Sequence, residues 1–439
     1  MSGNYLLRNA TTTNGEVRDV VIESGLLVGK ASTGIRHEEI DCKGLVVLPG
    51  FVDLHTHLRE PGFEQSETVA SGSRSAAAGG YTAIHAMANT FPVADTAGVV
   101  EQIARLGEDA GLVFVQPIGA VTVGLKGEQL AELGAMAQSK ARVRMFSDDG
   151  NCVHDPALMR RALEYVKAFG GVVAQHAEEP RLTVNAQMNE GPLATKLGLG
   201  GWPKVAEEAI IARDLMLTEL TSSRLHVCHV STAGSVELIR QAKARGVNVS
   251  AEVTPHHLLL TEDLASGYDP LYKVNPPLRT TADVEALREG LIDGTIDVVA
   301  TDHAPHPKES KDTDWASAAF GMIGLETAYS VAQQVLIDSG KSNFERLGAV
   351  MSSNAAAISG LDQQGQYLSP GSAANLTLVD PKDSWDPKPQ TLSMSENNPF
   401  AGLKMQGRVR HTIYNGEFSY RDFSIVQRAG ILWRHTKWA

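Results

Sequence analysis

A chain of 439 residues that is 43% hydrophobic can build one large domain and an accessory one, which excludes disorder as its dominant state. Its formal net charge of −12, with no basic run to oppose it, excludes sequence-independent nucleic-acid binding. The three cysteines (Cys42, Cys152, Cys228) are odd in number and lack a Cys-x-x-Cys pair. There is no signal-peptide core near Met1 and no apolar run long enough for a membrane, so a reducing, cytoplasmic setting is expected.

In chain order, residues 1–48 read as short strands, at 17–22 and 44–48 among others, between polar turns. Residues 49–365 then repeat a strand-like run eight times, at 52–58, 81–87, 112–120, 143–146, 172–176, 225–230, 247–253 and 298–301. Segments such as 158–169 and 205–220 between them are apolar at helical spacing. Strand–helix alternation of that length predicts a parallel sheet closed into a (β/α)8 barrel of the TIM type. A doubly wound open sheet is the second choice, but no Gly-x-Gly-x-x-Gly follows an early strand. Residues 366–423 return to short strands, at 374–379 and 411–414, too few to hold a core alone. The two end pieces are therefore expected to pair into one small composite β-domain. Residues 424–439, with Trp433 and Trp438, are set apart as a tail without an assigned role.

Chemistry in such a barrel gathers at the C-terminal ends of the strands, and the polar residues lie there. The first run ends in His55-Thr56-His57, and Arg59 follows; alternation along a strand puts His55, His57 and Arg59 on one face. The fourth ends at Asp149, the fifth at His176, the sixth at His229 and the eighth at Asp302. A lone histidine of this kind is more often a satisfied core residue than a ligand. Five strand ends supplying four histidines and two carboxylates are enough for two metals. His55, His57 and Asp302 could hold one, His176 and His229 the other, with Asp149 as bridge. The nucleophile would then be a metal-bound hydroxide.

Longer motifs carry a resemblance. Gly50-Phe51-Val52-Asp53-Leu54-His55-Thr56-His57-Leu58-Arg59-Glu60-Pro61-Gly62 is one, and Phe146-Ser147-Asp148-Asp149-Gly150 another. Glu252-Val253-Thr254-Pro255-His256-His257-Leu258, Val274-Asn275-Pro276-Pro277-Leu278-Arg279 and Ala300-Thr301-Asp302-His303-Ala304-Pro305-His306 complete the set. The chain resembles the amidohydrolase superfamily, and within it the class I dihydroorotases, over about residues 5–420. That resemblance implies metal roles for His55, His57, Asp149, His176, His229 and Asp302, with zinc (Zn2+), one or two per subunit, or another divalent ion. It implies substrate binding by His57, Leu58, Arg59, Asn89, Asn275, His306 and the Phe320-Gly321 backbone. It implies reversible opening of dihydroorotate to N-carbamoyl-aspartate in pyrimidine synthesis, with Asp302 as proton shuttle, by a homodimer that in some relatives joins aspartate transcarbamoylase. Two departures are mild: Met87-Ala88-Asn89-Thr90 where the family has Met-Pro-Asn-Thr, and Gln175-His176-Ala177-Glu178 where it has Ala-His-Cys-Glu.

Allantoinases, hydantoinases and dihydropyrimidinases share the superfamily, and many bridge their metals with a carbamylated lysine on the fourth strand. The run 141–149 has no lysine, and Lys140 stands at its start. Arg59, Asn89 and His306 would form a carboxylate cradle, a fixed cation among neutral donors, which neutral rings do not need. A non-catalytic scaffold for aspartate transcarbamoylase is the remaining alternative, disfavoured because no ligand is missing. Other polar residues are expected to be structural: His85 in the core or behind the ligands, His303 behind the barrel, and Asp53 beneath the metals or buried in hydrogen bonds. Of His256 and His257, one lines the site or neither does, and 308–314 is a solvated loop or a lid.

Overall fold

The computed structural model describes residues 3–426. Trp433 and Trp438 lie outside the described residues. The architecture is α/β. Eight strands, β1 (Phe51–Thr56), β2 (Tyr81–Ala86), β3 (Phe114–Pro117), β4 (Met145–Phe146), β5 (Val172–Gln175), β6 (Leu225–Val227), β7 (Val249–Val253) and β8 (Val298–Val299), alternate with helices such as Pro156–Lys167 and Val205–Thr221. β1, β2 and β3 pair in parallel, as do β4 to β8 in sequence order. Parallel bridges join the two groups at both seams, Gly119 to Phe146 on one side and Thr56 to His303 on the other. The path of pairings thus returns to the strand where it began.

Apolar residues fill both sides of these strands. Val52, Leu54, Ala83, Met145, Val172, Ala174, Val298 and Ala300 form one cluster. A larger one joins the strands to the helices through residues such as Ile84, Phe146, Leu163, Leu215 and Leu287. Phe51 is fully buried, its ring 5.8 Å from Tyr81 and 6.0 Å from Tyr329. Phe51→Ala is expected to cost about 3–5 kcal/mol, read as a lower midpoint of thermal unfolding than Phe51→Leu. Equal midpoints for the two variants would refute this account of the packing.

Both ends of the chain enter one nine-stranded sheet. Val46–Pro49 pairs antiparallel with Leu376–Trp385, so the segment leading into β1 is held by the segment that follows the last helix. Ser424–Ile425, inside the stretch expected to be tail, adds a short strand to the edge by pairing with Tyr420 and Arg421. Among the described residues, no helix is long and apolar enough to cross a membrane.

Candidate active site

β1 ends at Thr56, two residues earlier than its pattern suggests. The chain then leaves β2 and turns toward the last strand, where His57 N donates to His303 O at 2.8 Å. Asp53 draws the same seam together, its carboxylate accepting from the His55 amide at 3.0 Å and the Thr301 hydroxyl at 2.6 Å. His55, His57 and Asp302 therefore meet. Asp302 Oδ1 lies 3.0 Å from His57 Nε2 and 3.4 Å from His55 Nε2, and Asp149 Oδ2 lies 3.3 Å from each of these nitrogens. Across the pocket, Asp149 Oδ1 is 3.2 Å from His176 Nδ1 and 3.1 Å from His229 Nε2, and the two ring nitrogens are 2.9 Å apart. Both triads, His55–His57–Asp149 and Asp149–His176–His229, have a spacing that could hold a metal ion. His229 and Asp302 take left-handed backbone, φ 31 and φ 46, a strained state that clusters at functional sites.

The donor set itself tests whether a cation belongs here. His55 Nδ1 bonds the Glu252 carboxylate at 2.6 Å and must be the donor, so in the neutral ring Nε2 presents a lone pair. That buried Nε2 has no hydrogen-bond partner among the described residues, yet two carboxylates face it. His57 donates Nδ1–H to Asn89 Oδ1 at 3.0 Å, and its Nε2 likewise faces carboxylate oxygens. His176 donates Nε2–H to Glu178 at 3.0 Å, leaving Nδ1 toward His229 and Asp149. Lone pair against lone pair is repulsive unless positive charge lies between them, and the second bonds hold each ring as metal ligands are held. Burial disfavours a cationic His55, but Asp149, Asp302 and Glu252 outweigh it and raise the imidazole well above its usual range. The residues fit a divalent cation.

The residues expected to bind substrate surround this cluster, with one exception. Arg59, on left-handed backbone (φ 62), reaches Pro305 O with Nε at 3.2 Å. Its face is set by that turn and not by strand alternation. Burial lowers its guanidinium to about 10, partly opposed by Asp302 and Asp149, so it stays a cation. Asn89 also lends its Nδ2 to Asp149 O at 3.4 Å, and Asn275 Nδ2 donates to Glu178 at 3.1 Å. His306 donates Nε2–H to Phe320 O at 2.7 Å. Burial, then Arg59 and Lys311, lower it to about 3, so the ring is neutral and its Nδ1 is an acceptor, not the expected donor. Gly321 has φ 142, and a Cβ there would lie 2.8 Å from His306 Nε2 and 2.9 Å from Ala304 Cβ; only glycine permits this approach. The Leu58 side chain goes elsewhere, buried in the core with its Cδ2 close over Gly72.

Sequence reasoning missed Glu252, which bonds His55, His226 Nε2 (2.9 Å) and the His229 amide (3.3 Å), and Asn397, which bonds Ala304 O (2.9 Å) and Gly321 O (3.2 Å). Glu252 sits on β7 with its motif in view; Asn397 gave no signal. His303 contacts buried Glu67 at 3.3 Å, and His85 Nδ1 bonds Asp53 O at 2.8 Å, both behind the ligands. His257 is spent on Thr254 and Pro276 O, whereas His256 lies close enough to Asp302, His229 and His55 to feel their charge. Residues 308–314 are not simply solvated: Lys311 Nζ donates to Pro270 O (3.1 Å) and Lys273 O (2.9 Å).

A family model for dihydro-orotase-like proteins matches residues 44–235. A dihydroorotase of Leifsonia xyli subsp. xyli is 57% identical, covering 97% of this chain and 98% of that protein. The chain belongs to the dihydroorotase family. A dihydroorotase of Mycobacterium tuberculosis is 50% identical over 94% of this chain and 96% of its own. Among solved structures, the L-hydantoinase of Arthrobacter aurescens superposes with TM-score 0.85 at 25% identity, covering 98% of both chains. A dihydropyrimidinase from Brevibacillus agri gives 0.84 at 24% over 98% and 97%, a likeness of fold.

Proposed function

We propose that this chain interconverts (S)-dihydroorotate and N-carbamoyl-L-aspartate, as a metal-dependent cyclic amidohydrolase of pyrimidine biosynthesis. The reading rests on the cluster of four imidazoles and two carboxylates with a half-buried arginine beside it, on a chain 57% identical to a dihydroorotase. The unbroken circuit of eight parallel strands supports reading residues 49–365 as a closed (β/α)8 barrel. The shared nine-stranded sheet supports a composite β-domain from 1–48 and 366–423. His55, His57 and Asp302 would hold one zinc or other divalent ion, His176 and His229 a second, with Asp149 between. When bound, such a cation supplies Lewis acidity for the amide carbonyl and lowers the pKa of water toward neutrality.

The chain's own residues do the rest. Asp302 Oδ1 takes the proton of the attacking water and delivers it to the ring nitrogen as the C–N bond breaks. Arg59 pairs with the ring carboxylate, whose two oxygens match its planar fork. Asn89, Asn275, the His306 acceptor and the Phe320-Gly321 backbone orient the ring. A cytoplasmic setting is supported by three buried cysteines without a disulfide; the homodimer and any association with aspartate transcarbamoylase rest on family resemblance alone.

Structural likeness to hydantoinases favours a second reading, action on uncharged rings. β4 argues against it: it carries no lysine, Lys140 is exposed ahead of it, and Asp149 lies between the two histidine pairs, where it would serve as the bridge. Assay of the metal-loaded protein with L-dihydroorotate, allantoin and dihydrouracil separates these. Turnover of dihydroorotate alone is expected. Turnover of the neutral rings alone would transfer the chain to the second reading, and silence on all three with metal bound would favour a scaffold.

A further inference from the structure

Glu178 stands two residues past His176, where β5 has ended, and its carboxylate makes three contacts. Oε2 accepts from His176 Nε2 at 3.0 Å and from Asn275 Nδ2 at 3.1 Å, and Oε1 accepts from the Thr183 hydroxyl. One oxygen therefore touches both a residue of the metal cluster and a residue of the substrate pocket, which are otherwise on separate loops. We propose that Glu178 is a positioning residue that couples the two halves of the site, presenting His176 Nδ1 to the cation and turning the Asn275 amide so that its oxygen faces substrate.

An ionised carboxylate only accepts, so the shared contact fixes His176 in the tautomer with Nε2–H and leaves Nδ1 as a lone pair toward Asp149 and His229. The same contact engages one N–H of Asn275 Nδ2 and so fixes which way the amide is turned, with Oδ1 on the side away from Glu178. A ring N–H of a cyclic amide is the group suited to that oxygen. Thr183 holds the other carboxylate oxygen, so the side chain is pinned at both ends. The orientation of the Asn275 amide is thereby tied to the same group that orients a metal ligand.

This inference rests on the roles given above to His176 and Asn275, and its test reads each half separately. Glu178→Ala is expected to raise KM for dihydroorotate about 10-fold and to speed loss of metal to a chelator, followed by elemental analysis, by about 10-fold or more. Glu178→Gln keeps a carbonyl oxygen for both donors and is expected to stay within about threefold of the parent on both measures. In the Glu178→Ala/Asn275→Ala double variant, KM should be no worse than in Asn275→Ala alone. Parental KM and parental chelator kinetics in Glu178→Ala would overturn the coupling, as would a Gln variant as impaired as Ala, or additive effects in the double variant. A parent chain silent toward dihydroorotate would overturn the proposed function instead, and chelator kinetics would still read the His176 contact.

Discussion

Asp302→Asn is expected to lower kcat for dihydroorotate by about a thousandfold while the protein keeps its metal, because the amide preserves an oxygen donor but cannot accept a proton. Asp302 Oδ1 sits 3.0 Å from His57 Nε2 and 3.4 Å from His55 Nε2, so a side chain of the same shape still fills the cluster. Left-handed backbone at φ 46 aims the carboxylate from just past β8. Kinetics alone would not separate loss of the shuttle from loss of a ligand, so metal per chain must be measured on the same sample. A variant that retains a tenth of parental kcat with metal bound would end the shuttle role.

Arg59→Met should be the next most damaging change, on a different parameter. Its guanidinium is partly buried and cationic, held by one backbone carbonyl and by no carboxylate within ion-pair distance among the described residues. A half-buried cation without a carboxylate partner is available to an anionic ligand, and losing a charged hydrogen-bond pair costs about 1.5–3 kcal/mol. That corresponds to a loss of roughly 10- to 150-fold in kcat/KM on dihydroorotate, carried mainly by KM. Turnover of an uncharged dihydropyrimidine, if any is detectable, should not fall with it. Equal losses on both substrates would mean that Arg59 serves the fold and not the carboxylate.

The residues that could be picked out in advance share one property: their signal is local. His55-Thr56-His57, Asp149, His176, His229 and Asp302 each close an apolar run, and the repeating order of strand and helix puts the ends of those runs at one end of the sheet. Arg59 was found for a weaker reason, since alternation cannot operate beyond Thr56, where the strand stops; a positive φ does that work. His306 was expected as a donor because its partner, Phe320 O, lies 14 residues away and no pattern announces a hydrogen bond to backbone. Leu58 shows the limit from the other side, a motif residue whose side chain belongs to the core. Glu252 and Asn397 lie 197 residues from His55 and 93 from Ala304, and only the folded chain reveals those pairings.

The seam between β1 and β8 has a thermodynamic side. It is sewn by the bridge of Thr56 with His303, made through the His57 amide on His303 O, and by Thr301, whose amide and hydroxyl donate to Asp53 and whose hydroxyl also reaches His55 O. His57 and Asp302, which face each other across it, are 245 residues apart in the chain. An ion gripped by both is a cross-link closing a loop of that size, and the chain-entropy estimate for such a closure is about 5 kcal/mol. The same contacts that would run the reaction would then also fasten the first strand of the sheet to the last, so that holoprotein and apoprotein differ in polymer topology as well as in chemistry.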